Sequence, residues 1–106
     1  MDAKTYFSNG RKRIKTVKAN DDYSLLILFD NGEWRRLDLT ADIQRGGVFA
    51  DIRPMERFRS VYIDEFGSVA WDRDPTLDSK TVWRNKIDIC PDRCYMDSIF
   101  VAEPVS

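Results

Sequence analysis

The longest apolar run in the chain predicts a β-strand over residues 23–30. Its centre, LLILF at residues 25–29, is hydrophobic at every position and contains side chains that favour strands. An unbroken run of this kind is typical of a central strand with both sides buried. Strand alternation divides it into two faces, which are made of Leu25, Ile27 and Phe29 on one side and Leu26 and Leu28 on the other. We expect short helices near Phe58 and Tyr95 to cover one of these faces.

A turn signal follows this strand at once. Asn31 and Gly32 both tolerate positive φ, so residues 30–33 predict a hairpin closed by a two-residue type I′ turn. The second strand of the hairpin is predicted at residues 34–39. A weaker alternation of basic and apolar residues predicts a further strand before the hairpin, at residues 13–19.

The alternation lapses after the predicted hairpin. A Gly-Gly pair at residues 46–47 interrupts a segment in which Thr40 or Asp42 could cap at most a turn or two of helix, so we interpret the segment as a connection. Pro54 then suits the first turn of a short helix that continues through Phe58. Proline has no backbone N–H, and in the first turn of a helix that group would have no hydrogen-bond partner within the helix.

A second hairpin is predicted around the turn sequence EFGS at residues 65–68, with strands at residues 61–64 and 69–71. The following segment, residues 72–86, is polar and has no sustained period. We interpret it as a long loop with one helical turn at residues 78–83.

The last part of the chain predicts a strand and a helix. Residues 87–89 form a short alternating strand, and Pro91 opens a helix that carries Cys94, Tyr95 and Ile99 on neighbouring turns.

Length and composition predict that these elements form one domain. A chain of 106 residues can bury one apolar core but is short for two, and its 13 aromatic residues are more than a disordered chain carries. We therefore expect a single α+β domain over residues 1–106, built on a mainly antiparallel sheet of about five strands with short helices. Residues 1–12 are interpreted as a flexible basic arm, and residues 72–86 as a long loop.

The hydrophobic pattern also bears on location. No apolar run approaches the roughly 20 residues of a membrane-spanning helix or the roughly 7 to 15 of a signal-peptide core. The first residues, MDAK, lack the basic-then-apolar order of a secretion signal. We therefore expect a soluble protein of the reducing cytoplasm, in which Cys90 and Cys94 would be thiols.

The order of the segments resembles a known family. Four stretches carry the resemblance, and they are DDYSLLILFDNGEWRRLDL, GGVFADI, FRSVYIDEFGSVAWD and IDICPDRCYMDS. In this order they resemble the small bacterial domain of unknown function family 2442, over roughly Arg13 to Ser98.

The resemblance implies a β-rich α+β domain with no established activity. Relatives sometimes bear a DNA-binding helix-turn-helix and sometimes accompany a small partner protein in toxin-antitoxin-like pairs. This sequence departs from the family pattern at residues 72–86, where relatives pass more directly from one strand to the next. Only eight residues follow Ser98, so we do not expect an appended helix-turn-helix.

The chain has no histidine, which removes the usual general base and the commonest metal ligand. We therefore expect no enzyme and assign no catalytic residue. Cys90 and Cys94 fall short of a four-ligand zinc site unless two subunits share the metal or carboxylates complete it, so we expect buried, inert thiols. An EF-hand loop starting at Asp72 would need glycine and glutamate where Leu77 and Trp83 stand. No metal or cofactor is expected.

Aromatic and arginine side chains suggest a protein partner. Trp71 lies within a predicted strand and is expected in the core, whereas two other tryptophans have arginine neighbours of the kind enriched at interfaces. Covering of the domain's own core explains Trp34 and Trp83 equally well. The partner-binding candidates are Trp34, Arg35, Arg36, Trp83 and Arg84. The first hypothesis is therefore an interaction or regulatory module that binds another small protein through a sheet edge and the Trp34 hairpin, and its oligomeric state is left open.

Charge supplies the alternative hypothesis. Residues 1–18 carry a net charge of +5, because six basic side chains are opposed by Asp2 alone, and the remaining residues carry −6. The basic segment could track phosphates, with Tyr6 and Phe7 stacking on bases. The nucleic-acid-binding candidates are Arg11, Lys12, Arg13, Lys15 and Lys18. A solvated strand face explains the same charges, and the acidic remainder would repel nucleic acid within a Debye length of about 8 Å.

Overall fold

Two antiparallel sheets carry the fold in the computed structural model, which describes residues 12–102. The elements in chain order are β1 (Ile14–Ala19), β2 (Ser24–Phe29), β3 (Trp34–Asp38), α1 (Thr40–Arg45), a 3-10 segment (Gly47–Ile52), α2 (Met55–Phe58), β4 (Tyr62–Ile63), β5 (Val69–Asp72), a second 3-10 segment (Trp83–Asn85), β6 (Lys86–Ile89), α3 (Pro91–Met96) and β7 (Ile99–Val101). The first sheet has the strand order β1-β2-β3-β7 and the second β4-β5-β6. The α+β class is confirmed, although the described residues form seven strands rather than about five.

One face of the first sheet forms the core. Leu25, Ile27 and Phe29 of β2 are fully buried and lie on one side, as the alternation predicted. Leu37 pairs with Leu25 across the sheet and extends the same face onto β3. Tyr95 of α3 packs edge-on against Phe29, with the ring centroids 5.0 Å apart. The final helix thus covers this side of the sheet.

The second sheet joins the same core through Trp71. This side chain is fully buried on β5, as expected from its place in the sequence. Its indole Nε1 donates a hydrogen bond to the carbonyl oxygen of Phe58 at 2.9 Å, and the two rings stack with centroids 5.8 Å apart. Because the indole N–H has a hydrogen-bond acceptor, the protein avoids the free-energy cost of burying an unsatisfied donor. Trp71 therefore ties the second sheet to α2.

Three tight hairpins share one loop design, in which a three-residue loop ends in a residue with positive φ. These residues are Tyr23 (62°), Gly32 (86°) and Gly67 (81°). The hairpin predicted at Gly32 is confirmed, but its type I′ turn is wrong because Asn31 does not have positive φ. The Phe29 amide donates to the Glu33 carbonyl at 2.9 Å, and the Asn31 side-chain oxygen accepts from the Glu33 amide at 3.0 Å. A final left-handed residue suits the twist of such three-residue loops.

The segment after β3 is more helical than the sequence predicted. It contains α1 and a 3-10 segment, and neither Thr40 nor Asp42 caps α1, because its N-cap is Leu39. Ile43 and Ile52 are buried in the core from these two elements. Tertiary packing thus stabilises short helices whose local signals are weak.

The end of the described chain also differs from the prediction. We expected Cys94, Tyr95 and Ile99 on neighbouring helical turns, but α3 ends at Met96 and Ile99 begins β7, which pairs with β3. Cys94 is buried, whereas Cys90 is exposed, so the prediction of buried thiols is wrong for Cys90. The proline start of α3 is confirmed.

One buried amide holds the long loop between β5 and β6. The side-chain nitrogen of Asn85 lies within hydrogen-bonding distance of the Asp74 and Leu77 carbonyl oxygens and the Ser79 hydroxyl, at 3.0–3.3 Å. Its side-chain oxygen accepts from the Asp74 amide at 2.8 Å. The helical turn predicted in this loop is present at residues 78–82. The side chain of Asn85 therefore connects several positions of the loop by hydrogen bonds.

Candidate protein-binding surface

The two sides of the first sheet differ in their burial. On the side away from the core, the strand register aligns two rows of side chains that we call the outer face, and they are Lys18, Leu26, Arg36 and Ile99 in one row and Thr16, Leu28, Trp34 and Val101 in the other. None of these eight residues is buried. The expectation that both sides of β2 are covered is therefore wrong for this side, within residues 12–102.

Trp34 lies at the centre of the outer face. It is half-buried on β3 and has Leu28 on one neighbouring strand and Val101 on the other. These three side chains, with Gly32 and Phe100, line an open cavity of about 430 Å³. Apolar cross-strand neighbours form a continuous hydrophobic strip. Trp34 is thus placed where a partner could bury it.

Arg35 points to the opposite side of β3. Its side chain is 13% exposed, and its guanidinium donates to the Ser98 hydroxyl at 2.8 Å and to the Ser98 carbonyl at 2.7 Å. The same group stacks 4.3 Å from the centroid of the Tyr95 ring and pairs with Glu33 at 3.2 Å. These contacts tie β3 to α3, so Arg35 does not lie with Trp34 on the outer face.

Arg36 does share the outer face with Trp34. It lies opposite Leu26 on β2, and its guanidinium forms an ion pair with Asp22 at 2.9 Å. A hydrogen bond from the Ser24 hydroxyl, followed by the one from Arg36, lowers the pKa of Asp22 to about 2. Asp22 is therefore ionised at neutral pH and holds Arg36 beside the apolar strip.

The edge strand β7 extends this surface. Ile99 is 60% exposed and lies on the outer face, whereas Phe100, which is 65% exposed, pairs with Arg35 and therefore lies on the other side of the strand. Neither residue was predicted in a strand or as a partner-binding candidate, although the IFV run combines two β-branched side chains with an aromatic one, a composition that favours strands. Ile99 was assigned to the preceding helix instead, because it lies four residues after Tyr95.

Trp83 and Arg84 belong to the loop that Asn85 holds. Trp83 is 79% exposed, and both residues lie in the 3-10 segment that precedes β6 of the second sheet. Within the described part of the chain, no hydrogen bond or ring contact links them to Trp34. The five partner-binding candidates therefore do not form one surface.

Basic side chains gather on β1, at the other edge of the first sheet. Arg13, Lys15 and Lys18 are exposed, and none of them has an ion-pair partner among residues 12–102. The Lys12 ammonium lies 5.9 Å from the centroid of an aromatic ring on α3. Arg11, like residues 1–10 of the predicted arm, lies outside the described residues.

A polar cleft of about 230 Å³ on the second sheet was not anticipated from the sequence. The hydroxyls of Tyr62 and Ser79 donate to Asp72 at 2.8 and 2.5 Å. Burial, followed by the hydrogen bond to Asp72, raises the pKa of Tyr62 to about 12. Beside it, Lys86 forms an ion pair at 2.9 Å with Asp64, whose side chain is fully buried. Each of these groups is already engaged by another.

The thiols and carboxylates form no cluster that resembles a metal site in the described ranges. Burial raises the pKa of Cys94 to about 12, so this thiol stays protonated at neutral pH. Among residues 12–102, no three cysteine, aspartate or glutamate side chains are grouped as metal ligands would be.

The fold and its open sheet face define a small α+β domain of two antiparallel sheets. A family model described as "Protein of unknown function (DUF2442)" matches residues 14–98, which run from the start of β1 to the residue before β7. The chain belongs to this family, as the order of its segments indicated. No curated protein and no solved structure matches the chain. The helices within residues 12–102 are all too short or too polar to cross a membrane.

Proposed function

We propose that this chain is a non-enzymatic interaction module that binds another small protein, as one member of a regulatory, toxin-antitoxin-like pair. The outer face is the binding surface. The observation that carries the proposal is that five of its eight side chains are apolar and yet none of the eight is buried. Contiguous apolar surface of this kind is typical of protein interaction sites.

The side chains of the outer face indicate the chemistry of the partner. Trp34 and the adjoining cavity would receive an apolar side chain, which is the arrangement of an interface anchor. Lys18 and Arg36 lie in the neighbouring row, and Lys18 would supply the basic part of the rim, because Arg36 is already paired with Asp22. We therefore expect a partner with an apolar centre and acidic residues around it.

The absence of catalysis is part of the proposal. The lack of histidine and the mutual engagement of Tyr62, Ser79 and Asp72 in the polar cleft support it. We place the complex in the reducing cytoplasm, a location that the free thiols Cys90 and Cys94 favour.

Affinity capture followed by titration with the purified partner tests the proposal. Trp34→Ala should weaken binding by about 2 kcal/mol, or roughly thirtyfold in Kd, because it removes the proposed anchor. Trp83→Ala serves as the control, since it removes an equally large aromatic side chain that is more exposed and lies in the loop before β6 of the second sheet. Circular dichroism of both variants checks that the fold is retained.

Two results would refute this proposal. One is that no partner is recovered from the cells in which the protein is made. The other is that the Trp34→Ala and Trp83→Ala variants bind a recovered partner as tightly as the unmodified chain does.

Nucleic-acid binding along β1 is a second candidate, and one observation favours it. Arg13, Lys15 and Lys18 are exposed without ion-pair partners in the described residues, whereas Arg36 and Lys86 are paired with carboxylates. Unpaired cations are available for phosphate contacts.

Salt dependence distinguishes the second candidate. If each of Arg13, Lys15 and Lys18 contacts a phosphate of duplex DNA, changing all three to glutamine should reduce the slope of log K against log salt by about three. A double variant, Lys80→Gln with Arg84→Gln, is the control because it removes cations from the loop of the second sheet. Absence of binding at low salt, or an unchanged slope, would eliminate this candidate.

A further inference from the structure

The four edge strands of the two sheets differ in how well they resist pairing with another strand. β1 carries Lys15 and Lys18 and has a register irregularity near its start, and β4 is only two residues long. The two isoleucines of β6 are already buried, so a strand added to β6 would bury no large apolar side chain of that strand. Charge, irregularity and shortness are the usual devices that protect a sheet edge. Among the described residues, β7 is the edge strand that combines neutrality with exposed apolar side chains.

β7 is short, but its apolar side chains are largely exposed. Its three residues are Ile99, Phe100 and Val101, and the first two are more than half exposed. Within residues 12–102, β3 is the one strand paired with β7, so the other side of β7 presents backbone groups that a further strand could use. Such an edge is a template for strand addition.

We propose that a second copy of this chain occupies the β7 edge, by antiparallel pairing of the two β7 strands about a two-fold axis at Phe100. The two first sheets would then form one eight-stranded sheet. In this register Phe100 lies opposite Phe100 of the second copy, and Ile99 lies opposite Val101. Both pairs are apolar cross-strand contacts, which stabilise a sheet.

The absence of charge on β7 favours a second copy of the chain as the occupant of this edge. β7 has no ionisable side chain, so self-pairing brings no like charges together, whereas the same operation on β1 would place Lys15 opposite Lys18. A partner strand selected by its charge would gain no ionic contact from β7. A second copy matches β7 in length, hydrophobicity and neutrality, and it forms the isologous contact that is the commonest in homodimers.

The dimer would place two outer faces on one continuous surface. Trp34 lies on β3, next to β7, so the two Trp34 residues would be separated by three strand spacings, or about 14 Å across the sheet. This inference does not depend on the proposed partner, because dimerisation is a property of the isolated chain.

Sedimentation over a concentration series tests the proposal on the purified full chain. The unmodified chain should reach the mass of a dimer. Phe100→Lys should raise the dimer Kd by about tenfold or more, because it places two cations opposite each other at the axis. Phe66→Lys is the control, since Phe66 is also highly exposed but lies on the turn between β4 and β5. It should leave the Kd unchanged.

A charge-swap mixture makes the test specific. Phe100→Lys and Phe100→Glu should each dimerise more weakly than the unmodified chain, and their equimolar mixture should recover the dimer mass as a heterodimer, because the two-fold axis places residue 100 opposite itself. Rescue in the mixture also shows that both variants are folded. A monomeric unmodified chain, an equal effect of Phe66→Lys, or a mixture that stays monomeric would overturn the proposal.

Discussion

Gly32 holds a backbone conformation that side chains with a branched β-carbon avoid. Its φ is 86°, and no atom lies within 4 Å of the position that a β-carbon would take, so the constraint is conformational rather than steric crowding. We predict that Gly32→Val lowers the free energy of unfolding by about 1 kcal/mol or more. Urea unfolding measures this change.

Asp30→Val is the control for Gly32→Val. It introduces the same branched side chain into the same loop, but at a residue whose φ is not positive and whose side chain is exposed. We expect its effect to stay within about 0.5 kcal/mol. Equal losses in the two variants would mean that the φ of Gly32 does not explain its effect.

Asp64 gives the protein a specific acid sensitivity. Burial opposes ionisation of this carboxyl, but hydrogen bonds from Lys86 and from the Ser68 and Phe66 amides outweigh burial and lower its pKa below 3.8. The folded state therefore binds this proton less readily than the unfolded chain does. The resulting stabilisation is complete above about pH 4 and is lost as pH falls through the folded-state pKa.

We predict that Asp64→Asn removes this part of the acid dependence. At pH 7 the variant should lose about 1–3 kcal/mol of unfolding free energy, because Lys86 loses a charged hydrogen-bond partner. As pH falls through the folded-state pKa of Asp64, the difference from the unmodified chain should shrink. Urea midpoints across a pH series measure both effects, and a difference that does not change with pH would contradict the assignment.

Residue-level sequence reasoning located Gly32 correctly but not the turn type, because Asn31 tolerates either sign of φ and the choice depends on the twist of the assembled strands. Arg35 is different. Strand alternation already separates Arg35 from Trp34 and Arg36, so its inward position was available from the sequence. The ion pair of Lys86 with Asp64 was not predictable, since it joins the start of β6 to the turn that follows β4, 22 positions away in the sequence.

At the scale of elements, Arg35 connects β3 to α3. Its three nitrogens contact Ser98 and Glu33 while its plane stacks on Tyr95, a geometry that lysine cannot reproduce. We predict that Arg35→Lys lowers the free energy of unfolding by about 1–3 kcal/mol. Thermal or urea unfolding measures the loss.

Arg36→Lys is the neighbouring control. Arg36 makes a partly exposed ion pair with Asp22, and pairs of this kind contribute little to stability. We expect a change within about 0.5 kcal/mol. If the two lysine variants were equally stable, the contacts of Arg35 would not be what secures α3 to the sheet.

Asn85 has a comparable role in the long loop. We predict that Asn85→Ala speeds amide hydrogen exchange at Asp74, whose N–H loses its acceptor, while the amides of β2 remain protected. Ser79→Ala is a milder control, because it removes a single contact of the Asn85 side chain. Exchange that accelerates equally in β2 would show that the loop does not open separately.

Elements with a strong local pattern were predictable, and those stabilised by packing were not. β2 and the two glycine hairpins follow from apolar runs and turn residues. β7 has only three residues, and its place in the sheet depends on pairing with β3, which lies far away in the sequence. The outer face could not be predicted as open, because LLILF is equally apolar on both sides.

Over the whole molecule, the second sheet is inserted between two strands of the first. β3 and β7 are neighbours in the sheet, but α1, α2 and the entire second sheet lie between them along the chain. The Arg35–Ser98 contacts beside this junction join residues 63 positions apart. The basic strand β1 and the neutral strand β7 thus lie at opposite edges of one sheet.

This insertion has a consequence for the order of folding. β1, β2 and β3 are joined by short loops and can pair early, whereas bringing β7 to β3 requires closure of a much longer segment, whose entropic cost grows with its length. Until the second sheet has formed and shortened that segment, β3 is itself an unpaired edge that carries Trp34. During synthesis, the nascent chain therefore exposes β3 from the time it leaves the ribosome until β7 follows, and this interval is when chaperone binding or misassembly with another nascent copy competes with folding.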